Sequence, residues 1–174
     1  MQDENEPFER GEDVIMKIQT SRFGSLDVSD ETLLLFPSGL VGFPACRRFV
    51  VLDVAVDCDY QWFQSVDEPS LAFVIVDVHL LQPDFRVDAP DESLAELDII
   101  QTDQILIMAV VTIPSGKPDQ ATANLRAPLV INLRSRLGKQ MVLHESLPLR
   151  YPLLQAPAEC KRDHEGVTEP TPVF

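Results

Sequence analysis

The side chains best suited to chemistry in this chain are three histidines, His79, His144 and His164, three cysteines, and a crowd of carboxylates. A zinc-binding helix needs two histidines four residues apart, and no pair here has that spacing or a cysteine at ligand distance in sequence. His79 and His144 each close an apolar run, as strand-end residues do, and His164 falls near the C-terminal end. Cys46, Cys58 and Cys160 form no C-x-x-C pair, and their odd number makes a poor disulfide framework, so reduced thiols are expected. Asp84, Asp88, Asp91 and Glu92 crowd one stretch, where a solvated face or a helix cap accounts for them without paired-acid catalysis. Glycine-rich phosphate loops and the G-x-S-x-G nucleophile elbow do not occur. The expectation is a protein that is not an enzyme and has no cofactor and no metal.

The elements that position these residues are built mostly on a period of two. In VIMKIQT (14–20), Val14, Met16 and Ile18 share one face, the pattern of a half-buried strand. Further β-branched and aromatic runs predict strands at 32–36, 47–53, 60–66, 71–77, 104–113, 128–134 and 139–144. Between them stand explicit turns: Pro37-Ser38-Gly39, Gly42-Phe43-Pro44, Asp67-Glu68-Pro69, Pro114-Ser115-Gly116 and Gly138. One segment breaks the rhythm. In PDESLAELDII, Leu94 and Leu97 lie three apart behind acidic residues, which predicts one short helix with Asp91 as its cap. The fold class that follows is all-β and mainly antiparallel, a small barrel-like or sandwich-like single domain with one short helix. Residues 1–13 are acidic and polar and residues 155–174 are proline-bearing and charged, so both ends read as flexible tails around a domain at 14–154.

Charge narrows the partners. With 14 basic and 28 acidic residues the chain carries a net −14, which disfavours direct binding to nucleic acid because phosphate contacts need lysine and arginine. A basic protein partner suits it better. The acidic opening MQDENEPFERGED is unlike a signal peptide, and no apolar run approaches the roughly 18 residues of a membrane helix, so a cytoplasmic protein away from membranes is expected. Residues 126–150 run against the trend, with Arg126, Arg134, Arg136, Lys139 and Arg150 opposed only by Glu145. Arg134 and Arg136, two apart in a segment read as extended, can project from one face, either to protect an edge strand or to meet an acidic contact surface. In TANLRAPLVINLR, Thr122 and Asn124 are expected to hydrogen-bond local backbone where the chain enters a strand ahead of Pro128, and Asn132 to face a satisfied polar pocket or solvent.

The order of LLLFPSGLVGF (33–43), FQSVDEPSLAFVIVD (63–77), QPDFRVD (82–88), QILIMAVVTI (104–113) and TANLRAPLVINLRSRLGKQMVL (122–143) resembles the flagellar assembly factor FliW family over about residues 14–154. Gly39, Gly42, Gln64, Ser65 and Asp77 carry the resemblance together with Thr122, Asn124, Pro128 and Asn132, while Val41 and Val78 stand where the family commonly has proline. The resemblance implies a partner switch. Such a protein binds flagellin in the cytoplasm and, once flagellin is exported, binds the translational repressor CsrA so that flagellin mRNA is released. Surface-capable residues beside the matched turns, Phe43, Asp67, Glu68, Phe85 and Arg126, are the candidate partner contacts, the two phenylalanines being either interface anchors or core. Two other readings stay open: a flagellin-dedicated chaperone without CsrA control, and a β-barrel that encloses a small molecule.

Overall fold

The computed structural model describes residues 15–54, 58–100 and 105–153; the expected tails at 1–13 and 155–174, and His164 and Cys160 with them, lie outside the described residues. The chain opens with a hairpin, β1 (Ile15–Thr20) and β2 (Gly24–Ser29). Then β3 (Leu34–Leu35), β4 (Arg48–Asp53), β5 (Tyr60–Ser65), β6 (Ala72–Asp77), β7 (Ile105–Thr112), β8 (Thr122–Asn132) and β9 (Leu137–Gln140) form one sheet. Neighbouring strands from β3 to β9 run antiparallel, and β3 pairs parallel with β9 through Leu35 and Leu137. That pairing closes the sheet into a seven-stranded barrel, and β10 (Tyr151–Pro152) adds to the outer edge of β8. The all-β reading holds, in its barrel form.

The barrel interior is filled. Phe36, Phe49 and Phe63 are fully buried, with Phe49 and Phe63 stacked at 4.3 Å between centroids and Phe36 edge-on to both at 5.5 and 5.3 Å. Leu34, Val51, Ile75, Met108, Leu129 and Ile131 complete this core. A small molecule enclosed by the barrel finds this space occupied by side chains, which removes the support for that reading. Strand β4 is apolar on both faces because its outer residues, Val50 and Leu52, lie under Ile18, Leu26 and Val28 of the hairpin. The hairpin turn is pinned to Trp62 by the Phe23 ring at 5.6 Å and the Arg22 guanidinium at 4.4 Å.

A second cover lies over β6, β7 and β8. It consists of α1 (Val78–Leu81), the loop that follows, α2 (Asp91–Ala95) and the chain after β9, and it buries Val78, Phe85, Leu97, Met141 and Leu143 against Val76, Ala109 and Leu125. Here several expectations are corrected. The helix over 91–95 forms, but Pro90 occupies the capping position without a side-chain bond and Asp91 lies inside the first turn, where its charge still faces the positive helix end. Helix α1 was not anticipated; Asp77 caps it by accepting from the His79 N–H at 2.9 Å, so His79 is helical and does not end a strand. His144 likewise follows β9 in a loop, bonded to Ser146.

Strand bounds moved where pairing overrode local pattern. Of the 32–36 run only Leu34 and Leu35 pair in the sheet, both with β4 and Leu35 also with β9. The β2 hairpin arm, with two buried residues, Leu26 and Val28, was missed. Arg134 and Arg136 are not in an extended segment: Asn132 Oδ1 accepts from the N–H groups of Arg134 and Ser135 at 3.0 and 3.4 Å and folds the chain into a turn, with Arg136 at φ 60°. The same Asn132 is buried and donates through Nδ2 to Leu97 O and Asp98 O, so it sits in the satisfied polar pocket. Cys46 is a buried free thiol.

Candidate partner-binding surface

Antiparallel order places the starts of β4, β6 and β8 and the ends of β5, β7 and β9 at one end of the barrel. The β3–β4 connection turns across that end. Gly39 (φ 64°) and Gly42 (φ 87°) both need the left-handed region, and Leu40 and Phe43 bond each other's backbone in a tight turn. A Cβ on Gly39 would come within 2.6 Å of Phe43 O and 2.7 Å of Pro44, so glycine is required twice over. Leu40 points into the core, while Val41 (67% exposed) and Phe43 (39%) present an apolar tip, the Phe43 ring standing edge-on to Phe73 at 5.7 Å.

This tip is tied to the opposite side of the barrel end. Gln140 Oε1 accepts from the Val41 N–H at 2.8 Å, and its Nε2 donates to Ala127 O at 3.2 Å. A proline at position 41 has no N–H to give, so the tie depends on the valine this chain carries there. Ala127 belongs to a bulge in β8. Between the pairs Met108–Leu129 and Val110–Asn124, two steps along β7 are matched by five along β8. Asn124 Oδ1 closes the bulge by accepting from the N–H groups of Arg126 and Ala127, both at 3.1 Å. Asn124 does bond local backbone near the entry of β8, as expected; Thr122 is the first residue of β8, paired with Thr112 and Pro152, and Pro128 O accepts from Met141. Arg126 donates from Nε to Leu147 O and from Nη2 to Glu145 O, strapping the 145–147 loop to the bulge. Replacing Asn124 by Ala is expected to cost about 2 kcal/mol, because two backbone donors lose their acceptor, whereas Asn124→Asp keeps the acceptor and stays close to wild type. Urea midpoints check this, and an Asn124→Ala protein within about 0.5 kcal/mol of wild type contradicts it.

Asp67 and Glu68 sit in the β5–β6 turn at the same end. Asp67 Oδ2 accepts from the N–H groups of Arg47 and Arg48 at 2.7 and 2.8 Å, and Oδ1 from Arg48 Nε at 2.7 Å. Partial burial pushes its carboxyl upward, but the Arg47 and Arg48 hydrogen bonds and the Arg48 charge outweigh it, leaving the pKa below its ordinary 3.8. Glu68 is also lowered, by the Ser70 hydroxyl and N–H. Since the folded pKa of Asp67 lies below the unfolded one, its contribution is complete above about pH 4 and fades as pH falls through the folded value. Asp67→Asn should therefore be less stable than wild type at about pH 6, with the gap narrowing as pH falls below the ordinary carboxylate range. A constant gap across that range in urea titrations contradicts the assignment.

Behind this turn, buried Gln64 donates to Ser65 O at 2.8 Å and Leu71 O at 3.1 Å, and Ser65 Oγ accepts from the Glu68 N–H at 3.0 Å. Phe43, Asp67, Glu68 and Arg126 are thus gathered at one end by the fold. Phe85 is not: it is 5% exposed in the second cover, so as a contact candidate it is corrected to core. Its run QPDFRVD carries no pattern that distinguishes a buried ring from an exposed one. Val41, Phe73 and Gln140 belong to the surface without having been singled out for it; only the departure from proline at Val41 marked any of them.

Among the described residues there is no cluster of histidines, cysteines and carboxylates able to hold a metal, and no helix long and apolar enough to cross a membrane. Comparison with known proteins gives a consistent relationship. The family model "FliW protein" matches residues 17–153. Flagellar assembly factor FliW of Syntrophus aciditrophicus is 38% identical over 141 residues, covering 80% of this chain and 89% of that protein. Its namesake from Leptospira interrogans serovar Lai is 32% identical over 144 residues, covering 82% and 96%. A crystal structure of the flagellar assembly factor FliW superposes with a TM-score of 0.71 at 30% identity, over 80% of this chain and 98% of that one.

Proposed function

This chain belongs to the FliW family, and from that premise we propose that it is a non-enzymatic flagellar assembly factor which binds flagellin in the cytoplasm and, when free of it, antagonises CsrA to relieve repression of flagellin mRNA. The observation that carries the flagellin arm is the apolar tip of Val41 and Phe43, held rigid by two left-handed glycines and the Gln140 tie. A pre-organised apolar projection loses little entropy on docking and suits the apolar stripe of a partner helix. The CsrA arm is what the family resemblance implies, and the net charge is compatible with it: an acidic protein bound to a basic RNA-binding dimer lowers the potential that attracts phosphate. The protein itself is then expected to show no RNA affinity.

The test is to mix the purified chain with flagellin and with CsrA of the same organism and follow complexes by size-exclusion chromatography, adding flagellin as competitor. Binding to both, with displacement, supports the switch; binding to flagellin alone leaves a dedicated chaperone, and binding to neither sinks the proposal. Phe43→Ala is expected to weaken flagellin binding by at least about tenfold while shifting the melting temperature by only a few degrees. A large fall in melting temperature with unchanged affinity would make Phe43 a packing residue.

A further inference from the structure

Past the end of β9 the chain stays beside β8. The Met141 N–H donates to Pro128 O at 2.9 Å and the Leu143 N–H to Arg126 O at 2.8 Å, so every second residue turns its main chain toward β8. The alternation of an extended chain then turns the main chain of Val142 and His144 outward. Neither the N–H and C=O of Val142 nor the N–H of His144 makes a hydrogen bond among the described residues. The Val142 side chain is 69% exposed, while Met141 and Leu143 on either side of it are buried in the second cover.

Strand β3 offers these groups no partner, because it meets β9 only through Leu35 and Leu137 before the chain turns at Pro37 into the tip. The seam that closes the barrel is therefore open farther along. Val142 stands two residues from Gln140, whose side chain holds the Val41 N–H, so the open edge begins beside the apolar tip. Next to it, Asp88, Ala89 and Pro90 border an open depression of about 570 Å³ together with Val142, Leu143 and His144.

Exposed edges are commonly blunted by lysine, proline or an inward-pointing charge, yet from Gln140 to Leu143 this one has no charged residue and no proline. Its unmatched N–H and C=O groups select the occupant: only a backbone in extended conformation returns donor and acceptor at strand spacing, and the exposed valine favours an uncharged side chain opposite. A second copy of the chain suits the edge poorly. It brings its own net charge of −14 and the same loops beside its own edge, whereas a lone extended segment needs only the width of one strand.

We propose that the edge from Gln140 to His144 is a strand-addition site, which takes an extended, uncharged segment of the partner protein that docks at the apolar tip. The inference rests on the preceding reading for a partner at the tip and adds a main-chain contact beside it. Side chains meet at Val41 and Phe43, and backbone meets backbone at Val142.

The test is amide hydrogen exchange on the full chain, free and saturated with flagellin. In the free protein the Met141 and Leu143 amides are expected to exchange slowly and those of Val142 and His144 fast; with flagellin bound, the latter two slow by at least about tenfold. Val142→Pro removes the outward N–H without breaking a hydrogen bond of the fold, and is expected to weaken flagellin binding by at least about tenfold. Val142→Ala keeps the N–H and C=O and stays within about threefold of wild type. Val142→Lys, at the same exposed position, leaves the backbone unconstrained and charges the edge, so it should weaken binding by a factor similar to proline even if the proline variant folds poorly. If flagellin binds while Val142 and His144 exchange as in the free chain, the edge is not the site, although the function stands. If flagellin does not bind wild type at all, the function and the inference fall together. Slowing that grows with protein concentration in the absence of flagellin gives the edge to a second copy, and slowing by CsrA alone gives it to the other partner; either result overturns the proposal.

Discussion

Replacing Phe63 by Ala is expected to lower the unfolding free energy by about 4 kcal/mol, a large share of the stability of a domain this size. Phe63 is fully buried, stacked on Phe49 with rings only 6° from parallel and edge-on to Phe36, so its removal leaves a void inside a closed sheet. A barrel collapses poorly onto a cavity because its strands are held at fixed spacing by hydrogen bonds on both sides. Phe63→Leu retains most of the volume and should cost about half as much. The sole tryptophan, Trp62, is the neighbouring residue and packs against the hairpin, so its fluorescence in urea reports the transition. A loss below about 1.5 kcal/mol for Phe63→Ala would show that the aromatic cluster does not hold the barrel together.

Gly138→Ala is expected to be nearly as damaging, for the opposite reason. A Cβ at Gly138 would coincide with the ring of Phe36, overlapping its Cε2 and Cζ atoms. Phe36 cannot retreat, since Phe49 and Phe63 lie against it on its other side. Gly138 also pairs with Ile131 beside the Leu35–Leu137 contact, so any shift of β9 opens the one seam that closes the barrel. Overpacking at this point should cost about 3 kcal/mol. The diagnostic is rescue: Phe36→Leu in the Gly138→Ala background should recover part of the loss, giving a coupling of about 1 kcal/mol or more in a double-mutant cycle. Additive effects would mean that the damage arises elsewhere.

Both predictions depend on contacts between residues far apart in the chain, and these were the part of the molecule hardest to read in advance. Gly138 had every mark of an ordinary turn glycine, yet its role is to let Phe36 approach the sheet. Phe43 and Phe85 each follow a turn-like stretch and offered no local basis for separating them; one became the exposed tip and the other core. Asp67 stood out only as a turn residue, and its binding of both arginine N–H groups across from β4 is set by the β4–β5 register. The bulge that Asn124 closes lies where β7 and β8 fall out of step, which no run of residues in either strand announces.

What the chain declares by itself is local. The strand period, the proline and glycine breaks and the acidic stretch before Leu94 follow from backbone sterics and from which face of a pleat or helix is apolar, and they sufficed for an all-β domain with a short helix within PDESLAELDII. Closure by the Leu35–Leu137 pair, the choice of barrel over sandwich, and the gathering of Phe43, Asp67, Glu68 and Arg126 at one end were decided by tertiary structure alone. Alternation states that one face of a strand is buried but not what lies against it, and burial and register are settled only when all seven strands compete for the same interior.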